Sequence, residues 1–153
     1  MKKLLLLACM FAALSACNSD KKEEDKSSDG IKLGGQKTSA SKADLKASIE
    51  RGEGIYTSLC VACHMGNGEG VKGAFPPLDG SDWLTDKREE SIHSVKYGQQ
   101  GEIVVNGETY NGVMAPLGLS DEEVADVLNY VMNSWSNTQD KMVTVQEVQA
   151  VQK

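Results

Sequence analysis

Three residues in a five-residue run carry the chemistry of this chain: Cys60-Val61-Ala62-Cys63-His64. Two thiols one helical turn apart can add to the two vinyl groups of a single haem, and the adjacent histidine then lies beneath the iron and offers an imidazole nitrogen. Other uses of C-x-x-C ask for more than the chain supplies. A thioredoxin-like pair needs flanking βαβ strands, and no such strands surround it. A zinc site needs two further Cys or His ligands, and only His93 is left. A structural disulfide gives His64 no role. Haem attachment through Cys60 and Cys63, one covalent haem c, is therefore the expected chemistry.

The elements that must hold this motif can be read around it. Leu45, Ile49, Gly52, Tyr56 and Leu59 recur at three- and four-residue steps, so a helix is expected to run from about residue 43 into Cys60. A second helix is expected over 86–98, with Ile92 and Val95 inward and His93 beside them. Glu102 to Tyr110 contains Asn106-Gly107 between β-formers, the strongest short-range hairpin signal, because both turn residues take φ > 0. Ser120-Asp-Glu-Glu123 is a capping box opening a last major helix, with Val124, Val127, Leu128, Val131 and Trp135 as its buried stripe. Thr144-Val-Gln-Glu147 has the same form and suggests a short terminal helix carrying Val148 and Val151. Gly66 to Gly73 is glycine-rich, but no strand precedes it and its spacing fits neither nucleotide fingerprint. It reads as a flexible turn from His64 towards Pro76.

These places together resemble the class I c-type cytochromes over about residues 48 to 137. The resemblance implies an all-α fold of three to five helices around one covalent haem, with a small β-hairpin before the methionine-ligand loop. In the family, a small residue and an aromatic on the first helix match Gly52 and Tyr56, and Leu128 and Tyr130 fall on the last helix that packs there. Pro76 stands twelve residues after His64, in Phe75-Pro76-Pro77-Leu78-Asp79-Gly80. The resemblance gives its carbonyl the Nδ1–H of the haem histidine, a bond that sets ring tautomer and basicity. Met114, in Tyr110-Asn111-Gly112-Val113-Met114-Ala115-Pro116-Leu117, matches the family's second axial ligand. A thioether favours ferrous iron and raises the reduction potential. A packing methionine is the alternative, and His93 is the rival ligand. Met65 abuts His64 and cannot reach the opposite face, while Met132 and Met142 lie in or after the last helix. Trp83 is assigned to a haem propionate through its indole N–H, the alternative being a core aromatic.

The N-terminal part differs in kind. Met1-Lys2-Lys3 is basic, residues 4–14 are apolar, and Leu14-Ser15-Ala16-Cys17 resembles the bacterial lipoprotein box. Residues 1–16 are expected to be a signal peptide that takes Cys9 with it, with Cys17 lipidated; several acyl chains on one residue anchor firmly. Residues 17–42, the lipidated cysteine and a polar stretch with only Ile31 and Leu33 large and apolar, are expected to form a disordered tether. A flexible tether of that length reaches roughly 25–30 Å. Lys22-Glu23-Glu24-Asp25 reads as linker or as an outer-surface sorting signal, and Asn18 resembles lipoproteins sent to the outer membrane. Residues 43–140 are the expected cytochrome domain and 141–153 a C-terminal extension.

Charge sharpens the partner class. The whole chain of 153 residues carries −6, and residues 43–140 hold sixteen acidic against six basic residues, a net −10. That excludes a nucleic-acid binder, which needs a basic face. With both axial positions filled, no site is left for substrate. The expected function is single-electron transfer by a monomeric, lipid-anchored carrier of the bacterial cell envelope, not an enzyme. It would face the periplasm from the outer or the cytoplasmic membrane, or be exposed at the surface. Redox partners implied by the resemblance are a quinol-oxidising complex, a terminal oxidase, a nitrite reductase or a quinoprotein dehydrogenase. A fixed subunit of a larger oxidoreductase and a haem sensor or enzyme with a displaceable ligand are the alternatives.

Overall fold

The computed structural model describes residues 41–153; the expected signal peptide, Cys17 and nearly all of the expected tether lie outside them. The first helix, α1 (Lys42–Leu59), opens on a reciprocal capping box: the Ser41 hydroxyl accepts from the Asp44 N–H, and the Asp44 carboxylate accepts from the Ser41 N–H. One turn, α2 (Val61–His64), follows at once, then α3 (Asp82–Asp86) and α4 (Arg88–Tyr97). Strands β1 (Ile103–Val105) and β2 (Glu108–Tyr110) pair antiparallel, with Ile103 opposite Tyr110 and Val105 opposite Glu108. Asn106 (φ 50°) and Gly107 (φ 75°) make the two-residue turn that the sequence calls for. Helices α5 (Asp121–Val131) and α6 (Val145–Ala150) complete the order. The fold is all-α with one small hairpin, as expected, and none of the described helices is long and apolar enough to cross a membrane.

The main packing event is the crossing of α1 and α5. Gly52 makes it possible: a Cβ placed there would lie 2.1 Å from the Asp126 carbonyl oxygen and 2.8 Å from the Tyr130 Cβ. Tyr56, Tyr130 and Trp135 stack beside the crossing, with ring centroids 5.3–5.9 Å apart. A buried polar network seals it. Asp126 accepts from Ser48 Oγ at 2.6 Å and from Arg51 Nε and Nη2 at 2.6 and 2.7 Å. Asn129 donates to Ser48 Oγ and to the Val143 carbonyl, and accepts from the Val143 N–H. These residues went unremarked in sequence, although Asp126 and Asn129 stand among the buried valines of α5. A polar residue inside an apolar register is the signal that could have found them.

Several expectations are corrected. Leu59 is exposed, and the buried face of α1 is Ser48, Gly52 and Tyr56. The helix expected over 86–98 is α4, Arg88–Tyr97, and starts two residues later: Asp86 closes α3, and Lys87 (ψ 53°) breaks the path between them. Val124, Val127, Leu128 and Val131 are buried on α5 as expected, but the helix ends at Val131. Trp135 lies beyond it at φ 56°, after Asn133 and Ser134 bond back to the Asn129 and Tyr130 carbonyls. The box at Thr144 is half made. Thr144 accepts from the Glu147 N–H, but the Glu147 carboxylate turns to Arg88 instead, at 2.6 and 3.0 Å. The expected C-terminal extension, residues 141–153, carries its short helix and docks on the domain, with Val143, Val148 and Val151 in the same core as Ile92 and Leu128.

The Arg88–Glu147 pair gives a pH-dependent prediction. Its hydrogen bonds to Arg88 hold the Glu147 carboxyl below its ordinary value. A depressed carboxyl adds stability above its unfolded pKa and loses it as pH falls through the folded one. Glu147→Gln should therefore cost about 1 kcal/mol at pH 7, the scale of a partly screened bidentate pair. The difference from wild type should vanish under acid. Urea titrations at pH 7 and pH 3 check this, and an equal gap at both pH values would show that the pair is not the source.

Candidate haem site

The C-x-x-C-H run is held at both ends. The Cys60 N–H donates to the Tyr56 carbonyl at 2.9 Å, so α1 delivers the motif directly. The His64 N–H donates to the Cys60 carbonyl, also at 2.9 Å, and the single turn of α2 puts both thiols and the imidazole on one side. Tyr56 Oη donates to the Met65 carbonyl at 2.6 Å and pins the exit. Beyond Met65 the chain doubles back: Gly70 N–H donates to the His64 carbonyl, and the Gly68 carbonyl accepts from Leu78 and Asp79. Gly70 has φ 62°, and a Cβ there would sit 2.4 Å from the Phe75 carbonyl oxygen and 2.7 Å from that of Pro76. Only glycine suits that position. The result is a 3.0 Å contact between His64 Nδ1 and the Pro76 carbonyl. With Nδ1 as donor, the free lone pair of the neutral ring is on Nε2. Burial pushes the His64 imidazole below its ordinary pKa, the Pro76 bond opposing in part, so the neutral form is favoured.

Cys60, Cys63, His64, Pro76, Trp83 and Met114 all line one cleft, of about 1140 Å³ outside the protein atoms when solvent at its open mouth is counted. Leu78, Leu84, Val127, Leu128 and Val131 form much of its apolar wall, and Ile103, Val105 and Tyr110 of the hairpin close one side. Ser91 and Ser94 also line it, but their hydroxyls donate to the Lys87 and Glu90 carbonyls, both at 2.8 Å. A cavity this apolar holds water poorly. Cys60 and Cys63 form no disulfide with each other, and burial pushes the Cys60 thiol up to about 11. Two thiols and a histidine facing one apolar cleft fit a haem.

Met114 reaches the cleft from the loop after the hairpin. Its main chain is tied to Gln99 in both directions at 2.8 Å. Gln99 itself lines the cleft, a residue that sequence reading passed over because no pattern marks it. His93 is half-buried and stacks edge-on against Tyr97 at 5.3 Å, and it is not among the cleft residues.

Comparison with known proteins agrees with this geometry. The cytochrome c family model matches residues 49–135, more than half of the chain. Cytochrome c-552 of Thermus thermophilus is 45% identical over 91 residues, covering 56% of this chain and 69% of the relative. The cytochrome c subunit of the quinone alcohol dehydrogenase of Gluconobacter oxydans is 32% identical over 102 residues, 64% of this chain and 21% of that subunit. The gluconate 2-dehydrogenase cytochrome c subunit of Pantoea cypripedii is 29% identical over 119 residues, 68% of this chain and 24% of that subunit. This chain thus spans about a fifth to a quarter of those two dehydrogenase subunits. With a free thiol pair, a neutral histidine and an apolar cleft already in place, the chain belongs to the cytochrome c family: it is an electron-transfer cytochrome with one haem c held covalently by Cys60 and Cys63.

Proposed function

We propose that His64 and Met114 are the two axial ligands, and that the protein is a carrier with a closed iron site rather than an enzyme. The observation that carries this is the meeting of the two side chains, fifty residues apart in sequence, on one apolar cleft. Bound there, the haem iron supplies a one-electron couple between its ferrous and ferric forms. The residues do the rest. Pro76 orients the imidazole, the Gln99 pairing holds the Met114 loop, the apolar wall excludes water, and the Trp83 indole N–H serves a propionate. The test is carbon monoxide: the ferrous protein should not bind it readily, whereas ready binding would establish an open sixth site and overturn the closed-site reading.

The cleft mouth is the proposed exchange surface. Val113 is 78% exposed at its rim, and Gly112 approaches the Ala74 carbonyl, bringing exposed Val71 and Phe75 alongside. A small, briefly occupied interface suits electron transfer. Residues 43–140 carry a net −10, so partners are expected to present a neutral or basic face, and association should slow as salt rises. Stopped-flow rates with a cationic redox partner that are independent of ionic strength would refute steering.

Anchoring is the second part of the proposal. The basic-apolar-small pattern ending at Cys17 supports a lipid anchor, and residues 17–42 supply the tether. Mass spectrometry of the mature N-terminus tests it, since an unacylated start elsewhere would remove the anchor. The dehydrogenase subunits among the relatives favour a second reading, a fixed subunit of a membrane oxidoreductase. Detergent purification separates the two: a free monomer supports the carrier, and co-purification with an oxidoreductase supports the subunit.

A further inference from the structure

The last turn of α4 lies between two partners that have no contact in sequence. On one side is the C-terminal segment 141–151. Lys96 Nζ donates to the Val148 carbonyl at 2.9 Å, and Tyr97 Oη donates to the Val151 carbonyl at 3.3 Å. On the other side is the Met114 loop. Gly98 (φ 87°) packs so closely that a Cβ would lie 2.6 Å from the Met114 carbonyl oxygen, and Gln99 exchanges both main-chain bonds with Met114. Residues 96 and 97 are thus held by the C-terminal segment, and residues 98 and 99 hold the methionine.

The segment is itself firmly seated. Val143 and Val148 are fully buried, Val151 is 5% exposed, and Asn129 grips the Val143 main chain with both its amide atoms. At the far end of α4, Arg88 is bound to Glu147 and to the Lys141 carbonyl. Lys96, whose side chain is 15% exposed, is also ion-paired with Asp121 at the start of α5. The helix can move away from the Met114 loop only if these bonds break.

We propose that the C-terminal segment is a strap that keeps Met114 in place through the end of α4, with Lys96 and Tyr97 as positioning residues. This rests on Met114 being an axial ligand. Its functional content is kinetic: the strap slows excursions in which the sulfur leaves the iron and the sixth position opens to an outside ligand. Excursions of a loop are governed by local rather than global stability, so the strap can change ligand exchange more than it changes unfolding.

The test uses the full-length, haem-loaded ferric protein and imidazole as the incoming ligand, followed by the sulfur-to-iron charge-transfer band. Lys96→Met/Tyr97→Phe removes both strap bonds, together with the Lys96–Asp121 ion pair, and should raise the limiting rate of imidazole entry about tenfold; Tyr97→Phe alone removes a strap bond and nothing else. Arg51→Met is the control, because it weakens the α1–α5 pairing at Asp126 without touching α4 or Asn129, the residue that seats Val143. It should lower the melting temperature and leave imidazole entry at the wild-type rate. Tyr97→Phe alone should give an intermediate rate and keeps the test open if the double variant fails to fold. Lys96→Arg, which keeps a cationic donor, should stay near wild type. If the α4 variants exchange no faster than Arg51→Met, the strap proposal is overturned. If instead Met114→Ala retains the sulfur band, the ligand assignment fails and the strap has nothing to position, a result distinct from the first.

Discussion

Met114→Ala is expected to abolish the sulfur-to-iron charge-transfer band and to lower the reduction potential by on the order of a tenth of a volt or more, within the wide range that axial ligands command. The sign follows from ligand chemistry. A thioether is soft and neutral and favours ferrous iron, and water or hydroxide in its place favours the ferric form. The loop should survive the change. Its two main-chain bonds to Gln99 do not involve the side chain, and neither does the packing of Gly98 against the Met114 carbonyl. Far-UV circular dichroism should therefore match wild type while ferrous Met114→Ala binds carbon monoxide. Potentiometry and visible spectra on one preparation decide the matter. An unchanged band would place the sixth ligand elsewhere, and His93→Ala would be the next variant, although His93 itself does not line the cleft.

What could be read from the chain divides along a physical line. The thiol pair with its histidine, the Asn106-Gly107 turn and the Ser120 capping box are local patterns, fixed by the geometry of a few consecutive residues, and each has the expected form. Trp135 shows where local periodicity misleads. It continues the i, i+4 stripe from Val131, yet the chain leaves the helix first, because side-chain bonds from Asn133 and Ser134 take the carbonyls that end it. The buried network could not be read from spacing at all. Ser48 meets Asp126 across 78 positions and Arg88 meets Glu147 across 59, and such pairs leave no period in the sequence. The same holds for the site: Pro76 and Met114 are legible through the family resemblance, whereas Gln99 lines the cleft only because α4 ends beside the methionine loop.

The second large effect is at the helix crossing. Gly52→Val should lower the melting temperature of the haem-loaded protein by about 15 °C or more, where each kcal/mol is worth about 4–8 °C in a domain near 100 residues. The cause is not lost flexibility but forced separation. A β-carbon at this position overlaps the Asp126 carbonyl, and Val adds two methyl groups to a contact already filled by Tyr130. Overpacking alone costs about 1–3 kcal/mol. Moving α5 away also stretches the Ser48 and Arg51 bonds to Asp126, which is 4% exposed and so cannot recover its hydrogen bonds from water. Breaking a buried charged group from its partners costs about 3–5 kcal/mol. Gly54, two residues along the same helix, provides the contrast. Nothing lies within 4 Å of a Cβ built there, so Gly54→Ala should stabilise α1 by about 0.5–1 kcal/mol, the ordinary gain of alanine over glycine in a helix. Thermal unfolding followed by circular dichroism should thus move in opposite directions for two glycines in one turn of one helix. If Gly52→Val melted with Gly54→Ala, the close approach of α1 and α5 would not be what holds this domain together.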